Sequence, residues 1–212
     1  MTDVILVCED VFGLEILDLL RRINAYLARN DAGSRYRILG YVSDAPAPFG
    51  GMPAPAERLG DLASHPMRRD ARYVLGIKDP ASKRAAVAMI LSRGGRFETV
   101  CSPWMICRPM TFGEGAVMDA YSVTISVSVG DYVTVCDSML ALEGSIGAYS
   151  TVMRFANVIC DGVGEEAFIG SCAFVPHGVT VGDRARVLDG SIVVKNVKPG
   201  TTVSGNPARK IS

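Results

Sequence analysis

The sequence predicts two fold classes in succession: an α/β domain with a small parallel sheet over residues 1–100, and an all-β parallel β-helix over residues 101–212. Two observations lead to this prediction. Strand-like and helix-like segments alternate in the first hundred residues, whereas a six-residue pattern recurs in the rest. Alternating strands and helices are typical of parallel sheets, and hexapeptide repeats are typical of parallel β-helices.

The first half contains three apolar runs that predict buried strands: DVILVC, YRILGYVS and RYVLGI. The segment GLEILDLLRRINAYLARN has leucine and isoleucine at helical spacing and predicts a helix. A second helix is predicted in DPASKRAAVAMILSRGG, where Asp79 is a candidate N-cap, Pro80 takes the first helical position and two glycines end the segment. The segment DAPAPFGGMPAPAER, rich in proline and glycine, predicts a loop.

The second half repeats a hexad that starts with an aliphatic or aromatic residue followed by glycine, as in FGEGAV, VGDYVT, IGAYST and VGEEAF. The first positions are expected to point inward, and successive coils should be 17, 17, 17 and 18 residues long; these positions are Phe112, Val129, Ile146, Val163 and Val181. Three full hexads would give 18 residues. We therefore predict one missing residue in the third element of each short coil, in TISVS, ALEGS and VICDG, whereas VPHGVT is complete.

Composition excludes several function classes. Lys and Arg number 22 and Asp and Glu also number 22, so the chain has no net positive charge to favour a nucleic acid partner. No apolar run approaches the roughly 20 residues that span a bilayer, and the N-terminus lacks the basic region of a signal peptide. Six cysteines without a C-x-x-C pair, together with only two histidines, argue against a metal site. We expect buried, reduced thiols and a cytoplasmic location.

Three parts of the chain carry a family resemblance: the hexad series, the ending GSIVVKNVKPGTTVSGNPARKIS and the strand RILGYVSD. On these segments the chain resembles bacterial sugar acetyltransferases with an N-terminal Rossmann-like domain and a C-terminal left-handed β-helix. That family includes sialic-acid O-acetyltransferases and the N-acetyltransferases of UDP-bacillosamine precursors and GDP-perosamine. The resemblance covers nearly the whole chain. It implies a homotrimer, acetyl-CoA bound outside the coils between neighbouring subunits, and a sugar amine or hydroxyl as acceptor.

The chain departs from that family at the first turn after a strand. The family's glycine-rich turn, of the form GxGGHA, aligns with CEDVFG, where only Gly13 remains. Glu9 and Asp10 stand where glycines would let a helix N-terminus hold a phosphate. Both are candidate substrate-binding residues, although Asp10 also fits a helix cap. Asp44 and Asp79 follow the second and third strands and are further candidates for holding an acceptor, with turn or helix capping as the alternative.

A second departure concerns the two histidines that the family uses. The family's catalytic base aligns with ALEGS, which has no histidine. Counting back from Ile146 puts Leu142 at the base position, and a deletion just before Ile146 puts Glu143 there instead. Only the glutamate accepts a proton, and it is a weak base unless burial raises its pKa. The second family histidine aligns with Thr151, which we place among the candidate cofactor contacts.

His177 takes the third position of the complete hexad VPHGVT. This is the same face and hexad position as the family's base, but two coils later, or roughly 10 Å along the axis at about 4.8 Å per coil. We consider three roles: the catalytic base, a contact to CoA or to a neighbouring subunit, and an uninvolved surface residue. The other histidine, His65 in LASHPM, is expected in a loop.

Further candidates for binding CoA lie late in the chain. Basic side chains near the C-terminus fit CoA phosphates, or alternatively a solvated tail; these are Lys195, Arg209 and Lys210. Small residues predicted to face outward would allow a pantetheine arm to approach the backbone; these are Ser171, Ala173 and Gly190.

The favoured function is an acyl-CoA-dependent acyltransferase acting on an amine or hydroxyl of a sugar, nucleotide sugar or other small molecule, with no metal. Such a reaction needs a base and an oxyanion donor. The alternative is a non-catalytic trimeric binding or scaffold protein, which the absence of the family histidines favours. A γ-class carbonic anhydrase also uses this β-helix, but it needs three zinc histidines and the chain has two.

Overall fold

The computed structural model describes residues 1–30, 32–33, 35–108, 111–119, 123–125, 127–140 and 144–212. The chain forms two compact units. The first comprises Met1–Lys78 and Ser82–Val100, and the second comprises Asp79–Ala81 and Cys101–Ser212. The main division therefore falls between residues 100 and 101, where the sequence changes from alternating elements to hexads.

The first unit contains a parallel sheet in the order β2–β1–β3, formed by β1 (Thr2–Cys8), β2 (Tyr36–Val42) and β3 (Arg72–Gly76). Helix α1 (Phe12–Arg29) follows β1, and helix α2 (Pro80–Ser92) follows β3. The predicted strands and helices are confirmed, and so is Pro80 at the first helical position. Neither helix in the described part of the chain is long and apolar enough to cross a membrane.

The turn between β1 and α1 depends on a close approach of helix and strand. A Cβ atom on Gly13 would lie 2.5 Å from the Cβ of Cys8, which is closer than packed atoms allow. The buried face of α1, which includes Ile16, Leu17 and Leu20, packs in the core of the unit. The one glycine that remains of the family's turn therefore serves helix–strand packing.

In the second unit the chain visits three parallel sheets in turn, which we call faces 1, 2 and 3, so the unit is a parallel β-helix as predicted. Face 1 contains β4 (Val100–Cys101), β7 (Val117–Met118), β10 (Thr134–Val135), β13 (Thr151–Val152), β16 (Phe168–Ile169), β19 (Arg186–Val187), β20 (Thr202–Ser204) and the antiparallel β21 (Arg209–Lys210). Face 2 contains β5 (Ile106–Arg108), β8 (Val123–Ile125), β11 (Met139–Leu140), β14 (Asn157–Val158) and β17 (Phe174–Val175). Face 3 contains β6 (Thr111–Phe112), β9 (Ser128–Val129), β12 (Ser145–Ile146), β15 (Gly162–Val163) and β18 (Thr180–Val181).

The predicted repeat register is confirmed on face 3. The first positions of the hexads pair with one another in order, from Phe112 through Val129, Ile146 and Val163 to Val181. From Val129 onward these side chains are buried in a continuous hydrophobic core that runs along the inside of the coils. Burial of this aliphatic column is the main force that holds the coils in register.

The predicted position of the missing residue is wrong for one coil, the one that contains ALEGS. Leu140 is buried and pairs with Thr124 on one side and Val158 on the other, so it is the inward residue of face 2. The short element of that coil therefore lies between Val135 and Leu140, and the element from Leu140 to Ile146 is complete. Met139 and Leu140 are both apolar, so only strand pairing distinguishes which of them faces inward. The short third elements in TISVS and VICDG are confirmed.

On face 3, the glycine that follows each inward residue is required by the spacing of the coils. A Cβ atom on Gly147 would lie 2.4 Å from the backbone nitrogen of Glu165 in the next coil. A Cβ atom on Gly164 would lie 2.5 Å from the backbone nitrogen of Asp183. The glycine of the hexad therefore lets successive backbones stack at strand spacing.

Corners join the faces and stack into edges. Edge 1/2, between faces 1 and 2, is formed by residues 136–138, 153–156, 170–173 and 188–191. Edge 2/3, between faces 2 and 3, includes residues 159–161, 176–179 and 193–196. These two edges carry the side chains that matter for function.

The cysteines are only partly as expected. Cys8, Cys136 and Cys160 are buried and form no disulfide bond, which confirms the prediction for them. Cys172 is exposed on edge 1/2, because it occupies a corner position with a left-handed backbone (φ 58°) rather than an inward one. Burial raises the pKa of the Cys160 thiol to about 11 and that of Cys8 to about 12.

Candidate functional site

Edge 2/3 carries polar side chains that follow one another from coil to coil. Asp161 lies on one coil, His177 on the next, and Lys195 on the coil after that. Backbone bonds hold the corners in register: the Asp161 N–H donates to the carbonyl oxygen of Val179 at 2.9 Å. Because each corner lies one strand spacing from the next, these side chains form a single row along the edge.

Asp161 fixes the position of the His177 ring. Its Oδ1 accepts a hydrogen bond from the Gly178 N–H at 2.9 Å and lies 3.1 Å from His177 Nδ1. A carboxylate at Nδ1 favours the tautomer that keeps the proton on that nitrogen and leaves Nε2 as an acceptor. The His177 side chain is 80% exposed, so its Nε2 is available to a ligand.

The row on edge 2/3 ends in a basic pocket of about 510 Å³ at the C-terminal end of the coils. Its basic side chains are the predicted phosphate ligands Lys195, Arg209 and Lys210, together with Lys198. Its apolar lining includes Val193, Val197, Pro207 and Ala208, and the pocket has no acidic lining residue among those described. This combination fits an anionic ligand with phosphate groups and an adjoining flat apolar part.

Sequence reasoning missed Lys198 as a member of this pocket. The signal was available, because Lys195 and Lys198 are three residues apart in VKNVKPG, on either side of the inward Val197. A tight last coil brings both lysines toward the hairpin formed by β20 and β21. The pocket therefore contains four basic side chains rather than the three predicted.

The predicted base position lies outside the described residues. Leu142 and Glu143 belong to that segment. Placing Glu143 at the base position required a deletion just before Ile146, but the element from Leu140 to Ile146 is complete, so counting puts Leu142 there. The catalytic role of Glu143 stays a prediction. After this segment, Gly144 O accepts a hydrogen bond from the Ser128 N–H at 3.2 Å, and Ser145 begins β12.

Two predicted cofactor contacts are contradicted by burial. The Thr151 side chain is 0% exposed in β13, and Ala173 is 1% exposed in the core of the β-helix. The fifth position of a full hexad points inward, which explains Ala173, and the prediction that it faces outward is wrong. Neither residue offers surface to a cofactor.

Ser171 and Gly190 lie next to each other, but on a different edge from the row that leads to the basic pocket. The Gly190 N–H donates to Ser171 O at 2.8 Å, and the Ser171 N–H donates to Asp189 Oδ1 at 2.7 Å. Both residues belong to edge 1/2, whereas His177 and Lys195 belong to edge 2/3. The structure therefore separates them from the other candidate CoA contacts.

The acids after the first two strands bind the chain's own groups. Asp10 Oδ1 accepts a hydrogen bond from the Phe12 N–H at the start of α1 at 2.9 Å, and its Oδ2 lies 2.8 Å from Lys78 Nζ. Asp10 thus holds an N–H at the start of α1, but the N-cap position itself is taken by Val11 rather than by Asp10. Glu9 is exposed beside it. Asp44 Oδ1 accepts the Leu62 N–H at 2.7 Å and so holds the loop after β2.

The remaining two candidates also have structural contacts. Asp79 Oδ1 accepts the Ala81 N–H at 3.1 Å, which confirms it as a cap, and within the second unit its Oδ2 lies 3.0 Å from Arg186 Nη1. His65 is buried, with Nε2 3.2 Å from the Tyr73 hydroxyl and Nδ1 3.3 Å from Leu59 O. Across the described ranges, no cluster of three or more acidic, histidine or cysteine side chains is arranged to hold a metal ion.

No family model matches the chain. Among curated proteins, a chloramphenicol acetyltransferase from Agrobacterium fabrum is 43% identical over 49 residues, which is 23% of each chain. A serine acetyltransferase from Buchnera aphidicola is 23% identical over 100 residues, covering 47% of this chain and 38% of the relative. The matches thus span well under half the length of these relatives.

Solved structures match over the whole chain. The acetyltransferase domain of PglB from Neisseria gonorrhoeae superposes with a TM-score of 0.80 and 18% identity, covering 100% of both chains. PerB from Caulobacter crescentus, in complex with CoA and GDP-perosamine, superposes with a TM-score of 0.76 and 21% identity, covering 100% of this chain and 98% of that one. The chain has the fold of these acetyltransferases.

Proposed function

We propose that the chain is an acetyl-CoA-dependent acetyltransferase that modifies an amine or hydroxyl of a small acceptor. The observation that supports this most strongly is the basic pocket at the end of edge 2/3, with Lys195, Lys198, Arg209 and Lys210 around an apolar floor. In this proposal the first unit is a Rossmann-like domain, the β-helix is left-handed, and the protein works as a cytoplasmic homotrimer.

The pocket sets the direction in which CoA lies. Its phosphates bind the four basic side chains, and its pantetheine arm follows edge 2/3 toward earlier coils. The arm passes His177 one coil from the pocket. It reaches the corner between Leu140 and Ile146 three coils from the pocket, or about 14 Å away at about 4.8 Å per coil. The thioester is therefore assigned to that corner, and His177 to the side of the arm.

The chemistry is direct transfer of the acetyl group. A lone pair on the acceptor nitrogen or oxygen attacks the thioester carbonyl carbon, the carbon–sulfur bond breaks, and CoA leaves as the thiol after gaining a proton. The acceptor's proton passes to a base. We assign this role to Glu143, because it is the proton-accepting side chain in the sequence between β11 and β12. A backbone N–H in the same corner stabilises the charge on the carbonyl oxygen. His177, oriented by Asp161, hydrogen-bonds to the pantetheine arm.

The test combines calorimetry for CoA with thioester release from acetyl-CoA in the presence of a panel of amino sugars. Glu143→Gln is expected to lower kcat by about 100-fold, as for the loss of a general base, and to leave the affinity for CoA unchanged. His177→Ala is expected to raise the KM for acetyl-CoA and to keep kcat. If His177→Ala instead lowers kcat and Glu143→Gln leaves kcat unchanged, the base is His177. Absence of CoA binding would contradict the whole proposal.

A non-catalytic binding protein is the second candidate. It is favoured by one specific observation, since Thr151 replaces the second family histidine and its side chain is 0% exposed. The same experiment separates the two candidates. CoA binding without thioester release for any acceptor in the panel favours the binding protein, whereas measurable release favours the enzyme.

A further inference from the structure

Edge 1/2 contains a notch where one coil is a residue short. In the later coils the corner residue has a left-handed backbone, at Phe155 (φ 58°), Cys172 (φ 58°) and Gly190 (φ 66°). The five-residue element between Val135 and Leu140 has no such residue. The Phe155 N–H donates to Asp137 O at 2.8 Å, so Phe155 lies directly beside the shortened corner.

The shortening leaves a cavity of about 550 Å³ beside the corner, lined by Asp137, Ser138, Met139, Phe155, Ala156 and Asn157. A volume of this size is within the range of small-molecule sites. The cavity lies on the same coil as the corner to which we assign the thioester. The two residues of β11 separate the two corners, a distance of about 7 Å at a rise of about 3.3 Å per residue along the strand.

Polar groups at the cavity lack partners. Ser138 is 3% exposed, and within the described part of the chain its Oγ and the Asn157 Oδ1 have no hydrogen-bond partner. Buried polar groups in folded proteins nearly always have one, because leaving them unpaired costs free energy. Both residues line the cavity, so a polar ligand bound there is placed to supply a partner.

Nothing in the described fold requires an aromatic side chain at Phe155. It is 69% exposed at a left-handed corner, a conformation that glycine adopts more readily than phenylalanine. Cys172 and Gly190 take the equivalent corners, so the backbone does not require an aromatic side chain there. With the exposed side chain of Met139, the ring forms an apolar wall beside the polar groups of the cavity. A ring compound with one apolar face and several polar substituents matches this arrangement.

The charge of the cavity lining indicates what the ligand lacks. Asp137 contributes a carboxylate, whose Oδ2 lies 3.8 Å from Arg154 Nε. The described lining contains no basic side chain. Such a lining disfavours phosphate and favours an amine.

We propose that this notch binds the acceptor, and that the acceptor is a free amino sugar or a similar hydroxylated ring amine without a nucleotide diphosphate. The role as acceptor rests on the proposed transferase function, whereas binding in the notch is measurable without it. The apolar face of the ring stacks on Phe155, its hydroxyls pair with Ser138 and Asn157, and its amine faces β11 and the thioester corner.

Two variants separate ligand binding from folding. Phe155→Gly places glycine at a left-handed corner, and Ser138→Ala removes a hydroxyl that has no partner, so both are expected to keep or raise the thermal midpoint. Cys172→Gly is the matched control, with the same corner position and the same φ one coil later. A fall in the thermal midpoint of Ser138→Ala would show that its hydroxyl has a structural partner and would overturn its assignment.

The probes are glucosamine, galactosamine, mannosamine and kanosamine, with UDP and GDP as the nucleotide arm, measured by saturation-transfer NMR. At least one amino sugar is expected to bind the full chain, with affinity about tenfold weaker in Phe155→Gly, as for the loss of one aromatic contact, and unchanged in Cys172→Gly. Binding of UDP or GDP to the unmodified chain, or no binding of any amino sugar, overturns the proposal. So does occupancy of the notch by a second copy of the chain in solution.

The two proposals fail in different ways. If CoA binds and thioester is released but Phe155→Gly leaves acceptor kinetics unchanged, the notch is not the acceptor site and the transferase proposal stands. If amino sugars bind in a Phe155-dependent manner but calorimetry detects no CoA, the notch is a sugar site and the transferase proposal falls.

Discussion

Edges 1/2 and 2/3 repeat the same coil geometry, yet their side chains differ in kind. Along edge 2/3 the row of Asp161, His177 and Lys195 is charged or polar and leads to a basic pocket. Along edge 1/2, Phe155 exposes an aromatic ring beside the unpaired hydroxyl of Ser138. In our two proposals one repeat serves two ligands: the edge with the basic pocket takes the acyl donor, and the edge with the notch takes the acceptor.

The largest effect is expected from filling the notch. Inserting one glycine between Asp137 and Ser138 restores the six-residue element of the neighbouring coils and places backbone where the proposed acceptor lies. We expect kcat/KM for the acceptor to fall by about 100-fold, because displacement by a single ångström has costs of that size. Steady-state kinetics measures the fall, and calorimetry should show unchanged CoA binding. Unchanged acceptor kinetics in a folded insertion variant would place the acceptor elsewhere.

Removing positive charge from the basic pocket should weaken the binding of CoA and leave the binding of the acceptor unchanged. The double variant Lys195→Ala, Lys210→Ala is expected to raise the Kd for CoA by about tenfold, since charge-assisted bonds to phosphate are the stronger kind. The effect should shrink at high salt, which screens exposed charges. Calorimetry at two salt concentrations tests this, with dephospho-CoA as a ligand that has fewer contacts to lose. An equal loss for the amino sugar probe would mean that the two edges do not divide the ligands.

A smaller effect is expected for the His177–Asp161 pair. Because the histidine is 80% exposed, its pairing with Asp161 contributes little stability, and His177→Ala should raise the KM for acetyl-CoA by about threefold. Asp161→Ala should do at least as much, because the Gly178 N–H then loses its acceptor as well. The double variant measures their coupling. A 100-fold fall in kcat for His177→Ala would instead make this histidine the base.

The smallest functional effect is expected from thiol labelling, which compares the edges through their cysteines. Cys172 is exposed on edge 1/2, whereas burial raises the pKa of Cys160 on edge 2/3 to about 11. At pH 8 Cys160 is almost entirely protonated, so iodoacetamide should modify Cys172 first. Peptide mass spectrometry identifies the modified site, and the KM for acetyl-CoA should not change. Modification of Cys160 before Cys172 would show that edge 2/3 opens in solution.

Much of the fold follows from the sequence, because inward residues of a β-helix recur at fixed spacing. Val129, Ile146 and Val163 were placed on one face by counting alone, and strand pairing confirms them. The short element before Leu140 could not be placed in this way, since Met139 and Leu140 are equally apolar. Because counting cannot choose between these two registers, the notch could not be predicted from the sequence.

The site was predictable only where chemistry and position coincide. Lys195, Arg209 and Lys210 were predicted as a group because they are basic and lie near one chain end, and all three line one pocket. Thr151 and Ala173 were misplaced because burial depends on which hexad position faces inward. Phe155 and Ser138 were missed, although an aromatic residue at a corner position was a visible signal.

The most direct test of the division between the two edges is a pair of KM values measured on two variants. We predict that Phe155→Gly raises the KM for the amino sugar acceptor by about tenfold and leaves the KM for acetyl-CoA unchanged, whereas the Lys195→Ala, Lys210→Ala variant does the reverse. If both variants raise the same KM, the two edges do not hold separate ligands and the account is wrong.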